Sequence, residues 1–323
     1  MKTIGIDMMG GDFAPLEAVK GVLAFLQNHT PDVHLLLIGD EAKLKAAMEH
    51  SPLPGSAYSI IPTTQVIEMH EHPTKALKEK PQSSISTGFH LLASGKCDAF
   101  ISAGNTGAMM VGSLFSIKTI EGVIRPSIGA YMPREDGSLG LLVDVGLNAD
   151  CKPELLNQFA LLGSLFAEHI LKIKSPRVGL VNLGAEEGKG NILMQATYPL
   201  LKNNGQLNFI GNIEGRDLLI NKADVMVCDG FTGNVVLKLA ESVYDMVIRR
   251  NINDEHFNRF NFETYGGVPV LGVAKPVIIG HGISTAIAFK NMILTACDML
   301  NTDLTGKIKQ CFSPGNAEPV IPS

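Results

Sequence analysis

Short apolar runs alternate with longer amphipathic stretches along most of this 323-residue chain. The short runs end in Gly, Asp or Asn and read as buried strands, near residues 4–7, 34–38, 99–101, 127–132, 139–143, 178–183, 209–211, 225–228 and 277–279. The longer stretches carry apolar residues at helical spacing and predict helices over 15–27, 41–48, 83 or 84 to 93, 109–117, 153–170, 191–202, 233–249 and 284–300. Runs 127–132 and 139–143 lie close enough to pair as a hairpin across Glu135, Asp136 and Gly137. Elsewhere strand and helix alternate, which implies a mostly parallel sheet covered on both faces, a three-layer α/β/α fold. No repeat or flexible linker interrupts residues 1–323, so the reading is a single catalytic domain, in one body or two lobes. The least regular stretch, within 240–267, reads as a helical excursion.

The strand ends are the second pattern. Ser102-Ala103-Gly104-Asn105-Thr106-Gly107-Ala108 joins a buried strand to a helix. Free backbone N–H groups and the positive end of the helix dipole meet at such a point, and glycine lets a ligand approach the backbone. An ordinary turn with an Asn or Thr cap would show the same residues. The device recurs at Gly10-Gly11-Asp12, Gly146 to Asp150, Asn182 to Gly190, Asn212 to Asp217, Asp229 to Asn234 and Gly280 to Ser284. Ligands of parallel sheets bind outside the carboxyl ends of the strands, so the turns are expected to serve one anion site.

Composition narrows the function. Hydrophobic residues make up 45%, enough for a large core, and the formal net charge of -5 with no basic run argues against nucleic acid. Aromatic residues are 6% with no Trp, which removes a base-stacking platform. Five scattered Cys without a C-x-x-C pair suit a reducing compartment. A strand begins almost at the N-terminus and no signal peptide is read there. There is no G-x-G-x-x-G and no G-x-S-x-G, and the P-loop-like run from Gly184 has Gly190 where a Ser or Thr would hold magnesium. His70-Glu71-His72 has no third ligand nearby, so no metal and no cofactor are expected.

The segments IDMMGGDFAP, SAGNTGA, VIRPSI, LLVDVGLNAD, VNLGAEEGKG, NIEGRD, DGFTGNVVLK, YGGVPVLG and HGIS resemble, in this order, the motifs of the bacterial acyl-acyl carrier protein:phosphate acyltransferases. The resemblance runs from Ile4 to about Asn291. It implies a fold like that of isopropylmalate dehydrogenases and phosphotransacetylases, in a cytosolic homodimer. It implies transfer of a fatty acyl group from a carrier-protein thioester to inorganic phosphate, with acyl phosphate passing to the membrane enzyme that acylates glycerol 3-phosphate. Two departures stand out. Lys78 occupies a position where the family pattern has Arg, and the stretch between DGFTGN and YGGVPVLG is short, leaving a small tip with Arg249, Arg250 and Arg259 among Phe257, Phe260 and Phe262.

The chemistry needs no covalent intermediate: a phosphate oxygen attacks the thioester, and a thiol of pKa about 8.5 leaves. Orientation and preorganised donors can supply most of the barrier reduction. Candidate catalytic residues are Asn105, Lys189, Asn234 and His281; candidate phosphate- or substrate-binding residues are Gly10, Gly11, Asp12, Gly104, Thr106, Gly107, Asn182, Asp229 and Gly233. Asp7, Asp12, Asp144 and Asp229 read as orienting or capping groups, and Lys238 as solvated. Two other functions stay open: a phosphotransacetylase-like enzyme using acyl coenzyme A, for which no basic cluster is visible, and a non-catalytic lipid-precursor sensor. Val236, Leu239, Ala240, Val243, Val247 and Ile248 form a stripe that predicts a homodimer.

Overall fold

The computed structural model describes residues 1–28 and 32–313, apart from the side chains of Asn28 and Phe262. Along the chain run β1 (Lys2–Asp7), α1 (Leu16–Asn28), β2 (Val33–Gly39), α2 (Glu41–Glu49), β3 (Tyr58–Pro62), α3 (Pro73–Glu79), α4 (Ser84–Ala93), β4 (Ala99–Ser102) and α5 (Thr106–Gly112). There follow β5 (Ser127–Pro133), β6 (Leu139–Val143), α6 (Pro153–His169), β7 (Arg177–Val181), α7 (Ile192–Lys202), β8 (Asn208–Ile213) and β9 (Val225–Val227). The chain continues through α8 (Gly230–Arg249), α9 (Glu255–Asn258), β10 (Val268–Leu271), β11 (Val277–Ile279), α10 (Ala286–Asn301) and α11 (Leu304–Cys311). Among the described residues two compact units result: one from 1–118 with 261–301, the other from 119–260 with 302–313.

In the first unit the strand order is β3-β2-β1-β4-β11-β10, parallel except that β10 runs antiparallel to β11. Residue alternation assigns the two faces. Ile4 and Ile6 are fully buried, and the intervening Gly5 leaves room on the other face for Ile38 and Phe100. There Phe100 meets Phe89 of α4 edge-on, with ring centroids 5.2 Å apart. Helices α1 and α10 pack together at Gly21, where a Cβ would lie 2.4 Å from Phe289 Cβ. The Glu17 carboxylate accepts from the Ala286 amide at 2.8 Å and so caps α10, which starts two residues later than the sequence predicts. Strand β3 is half-exposed and β10 contains Pro269, and neither shows a clear strand pattern in the sequence.

In the second unit the order is β5-β6-β9-β7-β8, with β5 and β6 forming the expected antiparallel hairpin and the other pairs parallel. Helix α6 covers this sheet closely, because Gly163 faces Val225 and Val143. The strand expected to end at residue 211 runs on to Ile213: Gly211, at φ +97°, is accommodated as a bulge between the pairs Val178–Phe209 and Leu180–Asn212. Two helices begin three residues earlier than their patterns predict. Asp229 caps α8 by accepting from the Thr232 amide at 2.8 Å, and Asn105 caps α5 by accepting from the Ala108 amide at 2.9 Å. Helix α5 ends at Gly112 and continues as a π-helical turn over Ser113–Ile117.

Candidate functional site

The first unit brings three glycine turns together behind β1, β4 and β11. The Asp7 carboxylate is fully buried at the end of β1, accepting from Ser102 Oγ at 2.6 Å and from the Met9 amide at 2.9 Å. Ser102 Oγ in turn accepts from the Gly104 amide at 2.9 Å. A Cβ at Gly10 would sit 2.5 Å from the Gly104 nitrogen, and one at Gly11, which has φ +98°, would sit 3.0 Å from Gly282 O. The Asp12 amide donates to Gly282 O at 2.7 Å. Turns 8–12, 103–107 and 280–284 therefore meet backbone to backbone, a contact any side chain at Gly10 would break. Burial pushes the Asp7 carboxyl above its usual range, against hydrogen bonds from Ser102 and Ser84 that favour the ionised form.

A fourth segment closes on these turns. Asn105 Nδ2 donates to the carbonyls of Glu68, Met69 and Glu71 at 2.9, 3.2 and 3.0 Å, and Asn105 is only 3% exposed. With its Oδ1 on the Ala108 amide, the whole side chain is engaged within the protein. Its geometry is that of a residue which positions the turn. Thr106 is exposed and Gly107 half-buried, and their amides, at the start of α5, have no intrahelical acceptor. His281 is half-buried; two residues on from Gly282, Ser284 is 2% exposed with an Oγ that has no partner. Ser102, the residue that links the strands, was missed in the sequence because a strand-end serine carries no pattern of its own.

The second unit holds two further turn clusters. At β6 and β9, buried Asp144 accepts from the amides of Ile128 at 2.9 Å and Asn148 at 2.7 Å, and from Asn148 Nδ2 at 3.0 Å. Burial raises this carboxyl too, against the same hydrogen bonds. A Cβ at Gly233 would fall 1.9 Å from Asp144 O, so α8 starts hard against the β6 turn. Asn234 Nδ2 donates to Val145 O at 3.2 Å. Asp229 is engaged by both the amide and the hydroxyl of Thr232. At the end of β7, Asn182 Nδ2 donates to Lys189 O at 3.0 Å and closes the loop to Gly190, while Asn212 Nδ2 fastens Glu186 O at 2.8 Å. The Lys189 ammonium is exposed and makes no ion pair among the described residues.

The sequence model of the fatty acid synthesis protein family matches residues 2–307. The phosphate acyltransferase of Dictyoglomus turgidum is 41% identical over 324 residues, covering 94% of this chain and 96% of that one. The phosphate acyltransferase of Aquifex aeolicus is 44% identical over 331 residues, covering 95% and 96%. The chain belongs to the phosphate acyltransferase family. Solved structures agree in fold. A phosphotransacetylase from Streptococcus pyogenes superposes with TM-score 0.67 at 15% identity, covering 93% of this chain and 94% of that one. A branched-chain phosphotransacylase from Enterococcus faecalis gives TM-score 0.60 at 13% identity, covering 93% and 100%.

The thiols of this phosphate acyltransferase are poorly suited to be nucleophiles. Burial pushes Cys97 and Cys151 up to about 11 and Cys228 well above the usual thiol range. What the phosphate acyltransferase does offer is glycine-lined backbone at strand ends, anchored from behind by Asp7 and Asp144. No helix among the described residues is long and apolar enough to cross a membrane.

Proposed function

We propose that this phosphate acyltransferase moves a fatty acyl group from acyl-acyl carrier protein to inorganic phosphate, giving acyl phosphate for phospholipid synthesis. The meeting of turns 8–12, 103–107 and 280–284 supports this reading: it fixes the start of α5, where the amides of Thr106 and Gly107 have no intrahelical acceptor and suit a small tetrahedral anion. In the reaction a phosphate oxygen adds to the thioester carbonyl, the tetrahedral oxyanion collapses, and the C–S bond breaks to release the carrier's thiolate. Neutral amides suit this step, because an excess of cations would blunt the phosphate as a nucleophile.

In the first unit the proposal gives phosphate contact to Thr106 and Gly107, with Gly10, Gly11, Asp12 and Gly104 shaping the wall; the Gly104 amide, expected from the sequence to bind phosphate, is taken by Ser102 Oγ. Asn105 holds the turn and His281 balances charge. In the second unit Lys189 supplies a mobile positive charge, while Asn182, Asp229, Gly233 and Asn234 hold turns 182–190 and 229–234. The partners that go with this reading are the carrier protein, a second copy of the chain, and the membrane glycerol-3-phosphate acyltransferase that receives the product. A cytoplasmic enzyme touching the inner membrane face through its basic-aromatic tip fits such a delivery.

The homodimer reading is supported by an apolar face of α8, though not by the whole stripe expected from the sequence: Leu239, Val243 and Ile248 are exposed, Val236 and Ala240 half-buried and Val247 buried in the chain, while Val235 and Met246 extend the exposed face. The test of function is thiol release from palmitoyl-carrier protein with and without phosphate, alongside palmitoyl coenzyme A. Phosphate-dependent release from the carrier substrate is expected. Faster release from the coenzyme A ester would move the enzyme to the phosphotransacetylase-like reading, and no release from either would leave a sensor.

A further inference from the structure

An open cleft of about 680 Å³ lies in the second unit, lined by Arg134, Leu139, Leu171, Ile173, Lys174 and Arg177 among others. Arg177 opens β7 and Leu139 opens β6, whereas turns 182–190 and 229–234 follow the opposite ends of their strands. Within this unit the cleft is thus separate from the groups assigned to acyl transfer.

Its charged wall combines the buried Arg134 and Asp224 with a half-buried Arg177. Arg134 is 2% exposed, and its Nη1 donates to Asp224 Oδ1 at 3.0 Å and to Ala223 O at 2.9 Å. Arg177 Nε donates to Asp224 Oδ2 at 2.9 Å. One carboxylate therefore serves two guanidinium groups, and Asn221 joins them: its Oδ1 accepts from Arg134 Nη1 at 3.0 Å and from Arg177 Nη2, and its carbonyl accepts from Arg177 Nη1 at 3.1 Å. Arg134 Nη2 has a single acceptor, Leu139 O, and the Arg134 Nε–H has none. A buried donor without a partner is costly, which a closed structural ion cluster has no reason to carry. Lys174 adds an exposed ammonium with no ion pair among the described residues. The neighbouring acid, Asp136, is engaged by Ser138 and Asn221, and the balance at the cleft remains positive. The remaining wall is apolar and half-buried, formed by Leu139, Leu171 and Ile173.

We propose that this cleft is a second ligand site, for an amphipathic anion: an oxyanion head at Lys174 and the Arg134–Arg177 pair, with a hydrocarbon tail along Leu139, Leu171 and Ile173. Guanidinium groups suit carboxylate and phosphate heads alike. A fatty carboxylate and an acyl-phosphate-like molecule share this chemistry, and their relative affinities identify the source.

Calorimetric titration of the full chain with octyl phosphate, octanoate and inorganic phosphate tests the site, in the native protein and in Lys174→Glu and Ile173→Asp. At least one octyl ligand is expected to bind, and Lys174→Glu to weaken it about tenfold or more, the loss of one charge-assisted contact. Ile173→Asp is expected to weaken the octyl ligands by a clearly larger factor than inorganic phosphate, since the added charge opposes every anion but only the octyl ligands use the apolar wall. Both positions are on the surface side of the fold, and a thermal melt of each variant confirms that it is folded; Lys174→Ala replaces a variant that is not. Absence of octyl-ligand binding at millimolar concentration, or affinities unmoved by either substitution, overturns the proposal. Because the readout is binding and not turnover, that failure leaves the acyl-transfer reading intact.

Discussion

Ser102 and Asp7, 95 residues apart in sequence, are joined by a 2.6 Å hydrogen bond between neighbouring strands β4 and β1. The hydroxyl donates to the carboxylate and accepts from the Gly104 amide, so one side chain ties the glycine turn to the sheet. Ser102→Ala removes both links. It is expected to cost about 1–3 kcal/mol, because a buried acceptor and a buried donor lose their partner. The Ser102 bond lowers the Asp7 pKa against burial, so its loss raises that pKa further. A carboxyl whose folded pKa lies above its unfolded value opposes folding as pH rises through the interval between them. The stability gap between native protein and variant should therefore widen as pH rises past the native Asp7 pKa, read in urea unfolding alongside titration of the Asp7 carboxyl. A gap that narrows with rising pH, or an Asp7 titration unmoved by the substitution, would show that Asp7 does not depend on Ser102.

Asn105→Ala releases segment 68–71 from turn 103–107 and removes the cap of α5. Loss of the cap should cost about 1 kcal/mol of stability. Loss of turn position should lower kcat/KM for carrier substrate and phosphate at least about tenfold, or about 1.4 kcal/mol. Unchanged kinetics in a folded variant would remove Asn105 from the site.

Asp224 gives the opposite pH behaviour to Asp7. Burial works to raise its carboxyl, but the bonds from Arg177 and Arg134 overcome this and hold it at about 2. A depressed pKa contributes stability above the unfolded value near 3.8 and loses it as pH falls toward 2. The linkage is on the order of 2 kcal/mol at neutral pH. Asp224→Asn should therefore destabilise the protein at pH 7, with the difference shrinking below pH 4. Equal destabilisation at both ends of the range would assign the effect to hydrogen bonding alone.

The dimer reading predicts that Leu239→Asp and Phe260→Asp each shift the protein toward monomer in sedimentation at micromolar concentration, because an interface penalises a desolvated carboxylate. Leu239 is 65% exposed in the single chain, so its substitution leaves the monomer's own core untouched. A native protein that sediments as a monomer, or a Leu239→Asp dimer as tight as the native one, would rule this interface out.

The sequence determined the elements with strong periodicity and the places where chemistry collects. Runs such as 4–7, 99–101 and 225–228 are buried on both faces and cannot be solvated, while Pro153 and Ser83 mark helix starts by local backbone and capping preferences. The motif residues of the glycine turns were equally legible, because close backbone approach admits only glycine. Tertiary structure alone decided what those residues do. Asn105 reads as a free donor in the sequence, yet three carbonyls from a distant segment take its amide hydrogens. Strand β10 forms despite Pro269, since pairing with β11 outweighs a weak local preference. The cleft around Arg134 left no trace in the motifs, because its residues come from positions spread between 134 and 224 and meet only when β6, β7 and β9 are assembled. Local patterns record burial and turn geometry; pairings between residues far apart in the chain are set by the energy of the whole packed arrangement, which no local pattern contains.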